Sequence, residues 1–127
     1  MENRYLFRAK QKDNGEWIEG LIWKSFGKLG IMSSDGVYSA FIIPSTICQC
    51  TGLKDKNGKL IWENDIMEAH LDDKFPEDVT RTRVVWDKNA WVTSEPGAVD
   101  RECLDDFDTK HFYVVGNIFD NPELLEV

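Results

Sequence analysis

The chain is predicted to fold as a mostly β protein built from small antiparallel sheets, with minor helix. Three observations predict it. Short apolar runs recur every eight to twelve residues, several alternate with period two, and the segments between them are rich in Gly, Asn and Asp. Parallel βαβ units would need long helical repeats between the strands, and the sequence has none.

In chain order, residues 5–9 put Tyr5, Phe7 and Ala9 on one side and Leu6 and Arg8 on the other, the pattern of a half-buried strand. Asp13-Asn14-Gly15 is a turn, and residues 17–23 return from it as the second arm of a hairpin. A segment over 26–29 holds Gly27 and is followed by Gly30. The turn cluster Ser33-Ser34-Asp35-Gly36 leads into a strand over 37–43, which Pro44 ends or confines to an edge.

Ile47 and Cys48 lead into a stretch containing Asn57-Gly58, the strongest hairpin signal in the chain. Residues 60–62 and 66–71 read as strands joined by Glu63-Asn64-Asp65, and 72–80 as a solvated loop. Residues 81–86 alternate, with Thr82, Val84 and Trp86 on one face, and Asp87-Lys88-Asn89 turns the chain back into 90–93. The acidic segment 95–108 is either a long loop or a short helix over 99–107 with Leu104 and Phe107 inward. A last strand over 111–118 precedes a helical turn with Asn121 as cap and Pro122 at its first position.

With 127 residues, 42% hydrophobic and 30% charged, the chain is expected to be one domain, residues 1–127, with sub-parts 1–50 and 51–127. No stretch reaches the roughly 18 uncharged apolar residues of a spanning helix, and no apolar core of a leader follows the first residues. A cytoplasmic protein without membrane contact is expected. Three cysteines leave one unpaired under any disulfide scheme, which suits a reducing compartment. Cys48 and Cys50, two apart, share a strand face.

The net charge of −8 is unevenly placed. Residues 1–62 carry nine Lys or Arg against six acids, and residues 63–127 carry six against seventeen. Nucleic-acid binding is disfavoured by this balance, whereas complementary halves permit head-to-tail self-assembly into a homo-oligomer.

The run Thr51-Gly52-Leu53-Lys54-Asp55-Lys56-Asn57-Gly58-Lys59-Leu60-Ile61-Trp62-Glu63-Asn64-Asp65-Ile66 resembles the TGLKDKNGKEIYEGDIV signature of the YopX family of phage and prophage proteins. The ending Val115-Gly116-Asn117-Ile118-Phe119-Asp120-Asn121-Pro122-Glu123-Leu124-Leu125 resembles the family's VIGNIYENPELL, and Leu6-Phe7-Arg8-Ala9 its KFRAW start. The chain departs from the pattern at Cys50, where the family has an aromatic, and at Asn64, where it has Gly. Asn tolerates left-handed geometry, so that turn is expected to survive.

The resemblance implies an all-β phage or prophage protein of undefined molecular role, and it carries no catalytic residues or cofactor. The signature residues Thr51, Gly52, Lys54, Asp55, Asn57, Gly58, Glu63, Asp65, Gly116, Asn117, Asn121 and Pro122 read as structural: Gly52 and Gly58 suit reversals, and Asp65 can accept from backbone donors. Strand entry through this type of turn also suggests an SH3-like barrel over 51–118, with the N-terminal hairpins beside it.

Candidate chemistry is sparse. Cys48, Cys50, Cys103 and His111 could supply tetrahedral zinc, but their spacing fits no finger or ribbon, and buried thiols in a β core are the simpler reading. A nucleophilic pair of Cys103 or Cys50 with His70 or His111 has no supporting local motif. Asp72, Asp73, Asp105, Asp106 and Asp108 could converge on a hard cation, yet no calcium loop is present and a solvated acidic surface explains them. Arg4, Arg8, Lys10 and Lys12 near Phe7 and Trp17 could form a basic aromatic groove for nucleic acid. The leading expectation is a non-enzymatic accessory protein acting through protein contacts. The rivals are a nucleic-acid-directed module, binding through the basic half or imitating DNA with the acidic half, and a small enzyme.

Overall fold

A computed structural model describes residues 3–126. The fold is mostly β, in two antiparallel sheets with minor helix. The chain divides into two compact units, the first ending at Gly52 and the second beginning at Leu53.

In the first unit, β1 (Phe7–Lys10), β2 (Trp17–Ser25), β3 (Lys28–Ser33), β4 (Ser39–Phe41) and the start of β5 (Cys48–Lys54) pair antiparallel in the order β4-β3-β2-β1-β5. The register sets Ala9 against Ile18 and Ile22 against Ile31, so one face collects the apolar positions of each alternating strand. Ala9, Ile18, Ile31 and Ile42 are buried there, with Phe7, Ile22, Leu29, Ala40 and Ile47 packed around them. The β2–β3 hairpin turns on Phe26 and Gly27, both at positive φ (50° and 78°), as a two-residue hairpin that matches strand twist requires.

Two strands are shorter here than the alternation predicts. Tyr5 lies in a 3-10 turn and stays exposed, so β1 begins at Phe7. Strand β4 holds three residues of the expected 37–43. At its start, the Asp35 carboxylate accepts from the Ser33 hydroxyl (2.6 Å) and the Val37 amide (2.9 Å), which prolongs the turn. At its end, Ile42 makes only an isolated bridge to Gln11, and Pro44, which has no amide proton, opens a 3-10 turn.

The second unit contains β6 (Leu60–Trp62), β7 (Asp65–Ala69), β8 (Thr80–Asp87), β9 (Ala90–Ser94), β10 (Glu102–Cys103), α1 (Asp106–His111) and β11 (Tyr113–Asn117). Its sheet is antiparallel, in the order β10-β9-β8-β7-β11. That order runs open from β10 to β11, and closure into the expected SH3-like barrel is not seen in it. Met67 opposes Thr82 and Val84 opposes Thr93, so these four share one face. Ile61, Met67, Ala69, Val84 and Phe112 form the core, with Trp91, Leu104 and Val114 against it. Glu68, Arg81 and Arg83 occupy the other face. The β8–β9 turn uses Lys88 and Asn89 at φ 50° and 71°.

The helix lies later than the expected 99–107. Its start is fixed by a reciprocal cap, in which the Asp108 amide donates to Asp105 Oδ1 (3.1 Å) and the Asp105 amide to Asp108 Oδ2 (3.2 Å). Val99 is consequently left exposed in a loop, Phe107 is half exposed, and Phe112, just past the helix, is the buried aromatic.

Candidate functional site

The second unit contains a half-enclosed cavity of about 170 Å³ between the Thr82 face of its sheet and α1. Leu71, Phe107 and Phe112 give it apolar walls, and Glu95, Glu102, Asp105 and Asp108 bring four carboxylates to it. Glu102 reaches the site because β10 pairs it with Thr93, and Asp105 and Asp108 arrive through the cap of α1. Thr82 and Thr93 line it from the sheet. Thr82 is 2% exposed, and its hydroxyl is buried with no hydrogen-bond partner among the described residues. Burial raises the Asp108 pKa above the ordinary aspartate value, and the nearby charges of Asp105 and Glu102 push it the same way against the Asp105 amide bond.

Of the residues singled out in the sequence, Asp105 and Asp108 line this cavity, while Asp72, Asp73 and Asp106 do not. Asp72 instead accepts from the Lys74 amide (2.9 Å) in the loop after β7. Among the described residues no group of three or more His, Cys, Asp or Glu side chains is placed to hold a metal ion. The alternation of β8 put Thr82 on a face with Val84, but the residues that complete the cavity come from four separate segments, and no local motif marks them.

In the first unit, the outward face of the sheet carries aromatic and basic groups together. The Arg8 guanidinium lies 4.9 Å from the Trp17 ring centroid and Lys10 Nζ 5.5 Å from it. Arg4 instead covers Tyr5, and Phe7 packs into the core, so of the groove expected from Arg4, Arg8, Lys10, Lys12, Phe7 and Trp17 the structure brings together Arg8, Lys10 and Trp17. Further along the face, Trp23 and Phe41 meet edge to face at 5.2 Å, and Trp23 Nε1 donates to Ser39 Oγ (2.8 Å).

Cys48 and Cys50 are fully buried on β5, as small thiols in a β core. Cys103 departs from that reading: it is exposed, on the two-residue edge strand β10. His70 lies past the end of β7 with Nδ1 2.7 Å from the Pro76 carbonyl. His111 Nδ1 is 2.8 Å from the Phe107 carbonyl, and its ring stacks on Phe107 at 4.1 Å.

The model of the YopX protein family matches residues 6–126, nearly the whole chain. The chain belongs to the YopX family. Among solved structures it is similar to protein EF1440 from Enterococcus faecalis, with 25% identity, a TM-score of 0.59, and coverage of 94% of this chain and 96% of that one. No curated protein matches it.

The YopX signature places its polar residues and Gly58 at turns, and Gly52 and Gly116 at points of close approach. Asp55 Oδ1 accepts from the Asn57 and Lys59 amides (2.8 and 2.9 Å), closing the turn that Gly58 completes at φ 82°. Asp65 Oδ2 accepts from the Trp62 amide (2.7 Å), and Asn64, standing where YopX has Gly, adopts φ 69°. Gly52 is not at a reversal: it lies within β5, at φ 83°, with Arg4 packed over it. At the C-terminal motif, Gly116 sits at a register shift in β11 with the Asn121 side chain pressed against it. Asn121 does not cap the Pro122–Leu125 turn with its side chain; its Oδ1 accepts instead from the Asn117 amide (3.3 Å).

Proposed function

We propose that the protein is a non-enzymatic accessory protein of phage or prophage origin, working in the host cytoplasm through protein contacts and associating with copies of itself. The observation that carries this reading is the outward face of β2, β3 and β4. Leu21 and Met32 are directly paired there and 43% and 39% exposed, and Phe41, beside Trp23, is 44% exposed. A contiguous apolar strip on a sheet face is the usual mark of an interaction surface.

Its rim is basic: Lys28 Nζ lies 5.7 Å from the Phe41 ring, and Arg8 and Lys10 flank Trp17 on the same face. The second unit carries nine Lys or Arg against eighteen Asp or Glu. The acidic unit of a second copy is therefore the partner whose charge complements this strip, in a head-to-tail arrangement. Burial of Cys48 and Cys50 and the carbonyl contacts of both imidazoles favour a role other than catalysis.

Light scattering after size exclusion tests the proposal. A mass above the monomer at low salt, falling as salt rises, is expected; a monomer at both salts overturns it. The pair of cations on Trp17 favours a second reading, binding of single-stranded nucleic acid, in which affinity for an oligonucleotide would fall steeply with salt.

A further inference from the structure

We propose that the carboxylate-lined cavity over β8 and β9 binds a primary ammonium group carried on an apolar stem, such as a lysine side chain or an aliphatic polyamine. This site lies on the second unit and does not depend on the contact strip of the first.

The argument begins with Thr82. A hydroxyl removed from water and given no partner destabilises a fold, and buried polar groups in native proteins are almost always paired. Thr82 is nonetheless buried at the wall of a cavity, on the same sheet face as Thr93, with its acceptor lone pairs unused among the described residues. A ligand that donates a hydrogen bond would pair it.

Charge selects the ligand. Glu95, Glu102, Asp105 and Asp108 line the same space. The capping bonds occupy Asp105 Oδ1 and Asp108 Oδ2, which leaves the second oxygen of each carboxylate outside that exchange. Anions are repelled. A hard divalent ion needs six or more oxygens at close range, and no such group is placed for one among the described residues. An alkylammonium has three donors at its tip, enough for two carboxylates and a hydroxyl, and a methylene stem that suits Leu71, Phe107 and Phe112. The raised pKa of Asp108, which follows first from burial and then from its acidic neighbours, is the behaviour of a carboxylate lacking its counter-charge.

The test is NMR titration of the full chain with n-butylammonium, with tetramethylammonium and magnesium as controls for charge without matching donors. Saturable shifts centred on Thr82, Thr93 and Phe112, absent with both controls, are expected. Nα-acetyl-lysine methylamide and 1,5-diaminopentane then distinguish a lysine side chain from a free diamine by which binds more tightly. Thr82→Val separates ligand pairing from folding: it should raise the melting temperature, because an unpaired hydroxyl is removed, while weakening butylammonium at least tenfold. Glu102→Gln should weaken it similarly. Shifts that do not saturate, that magnesium reproduces, or that survive Thr82→Val unchanged overturn the proposal.

Discussion

Asp55 joins the Asn57-Gly58 turn to Val114, 59 positions further along the chain: while Oδ1 holds the turn amides, Oδ2 accepts from the Val114 amide at 2.8 Å. Asp55 is 6% exposed, so removing its carboxylate leaves three partly buried amides to find new partners. Asp55→Ala should destabilise the fold by about 3 kcal/mol, read as a lower urea midpoint, with Asp55→Asn costing less because it keeps an acceptor. A loss under about 0.5 kcal/mol would show that the link contributes nothing.

Glu68 accepts from Arg81 Nε (2.9 Å) and the Tyr113 hydroxyl (2.8 Å). Partial burial opposes its ionisation, but the two bonds outweigh burial together and hold its pKa below the ordinary glutamate value. As pH falls, the unfolded chain takes up the proton first, so this stability is full above about pH 4.3 and is lost below it. Tyr113→Phe should cost about 1 kcal/mol at neutral pH and flatten the acid limb of a stability-versus-pH curve.

Gly52→Ala combines a positive φ with a Cβ that would stand 2.9 Å from the Arg4 Cβ. A loss of at least about 1 kcal/mol in thermal or urea unfolding is expected.

Met32→Lys replaces an exposed side chain of the apolar strip, the one paired with Leu21. Folding stability should stay within about 0.5 kcal/mol, while association at low salt disappears in light scattering.

In the native protein, iodoacetamide should label Cys103 and spare Cys48 and Cys50 until denaturant is added, as intact mass would show.

The turns were legible because their chemistry is local: Asn89 and Gly58 tolerate the positive φ that their reversals demand, and the family motifs reinforced the second. The helix was misplaced because its start depends on a reciprocal bond between Asp105 and Asp108, which in a sequence looks like any acidic cluster. A two-residue edge strand has no periodicity of its own, so the sequence carries no sign that Cys103 is exposed. The cavity was invisible for a different reason. Leu71, Thr82, Thr93, Glu102 and Phe112 meet through strand register and helix placement, so no window of the chain contains them.

Phe26 places a fully solvated aromatic ring on a left-handed backbone at the tip of the β2–β3 hairpin, with Gly27 completing the bend. Asn at that position would relax the bend by about 1 kcal/mol. The reversal is therefore the natural site for a one-residue thermostabilised variant, since no neighbouring packing has to be redesigned to accept the change.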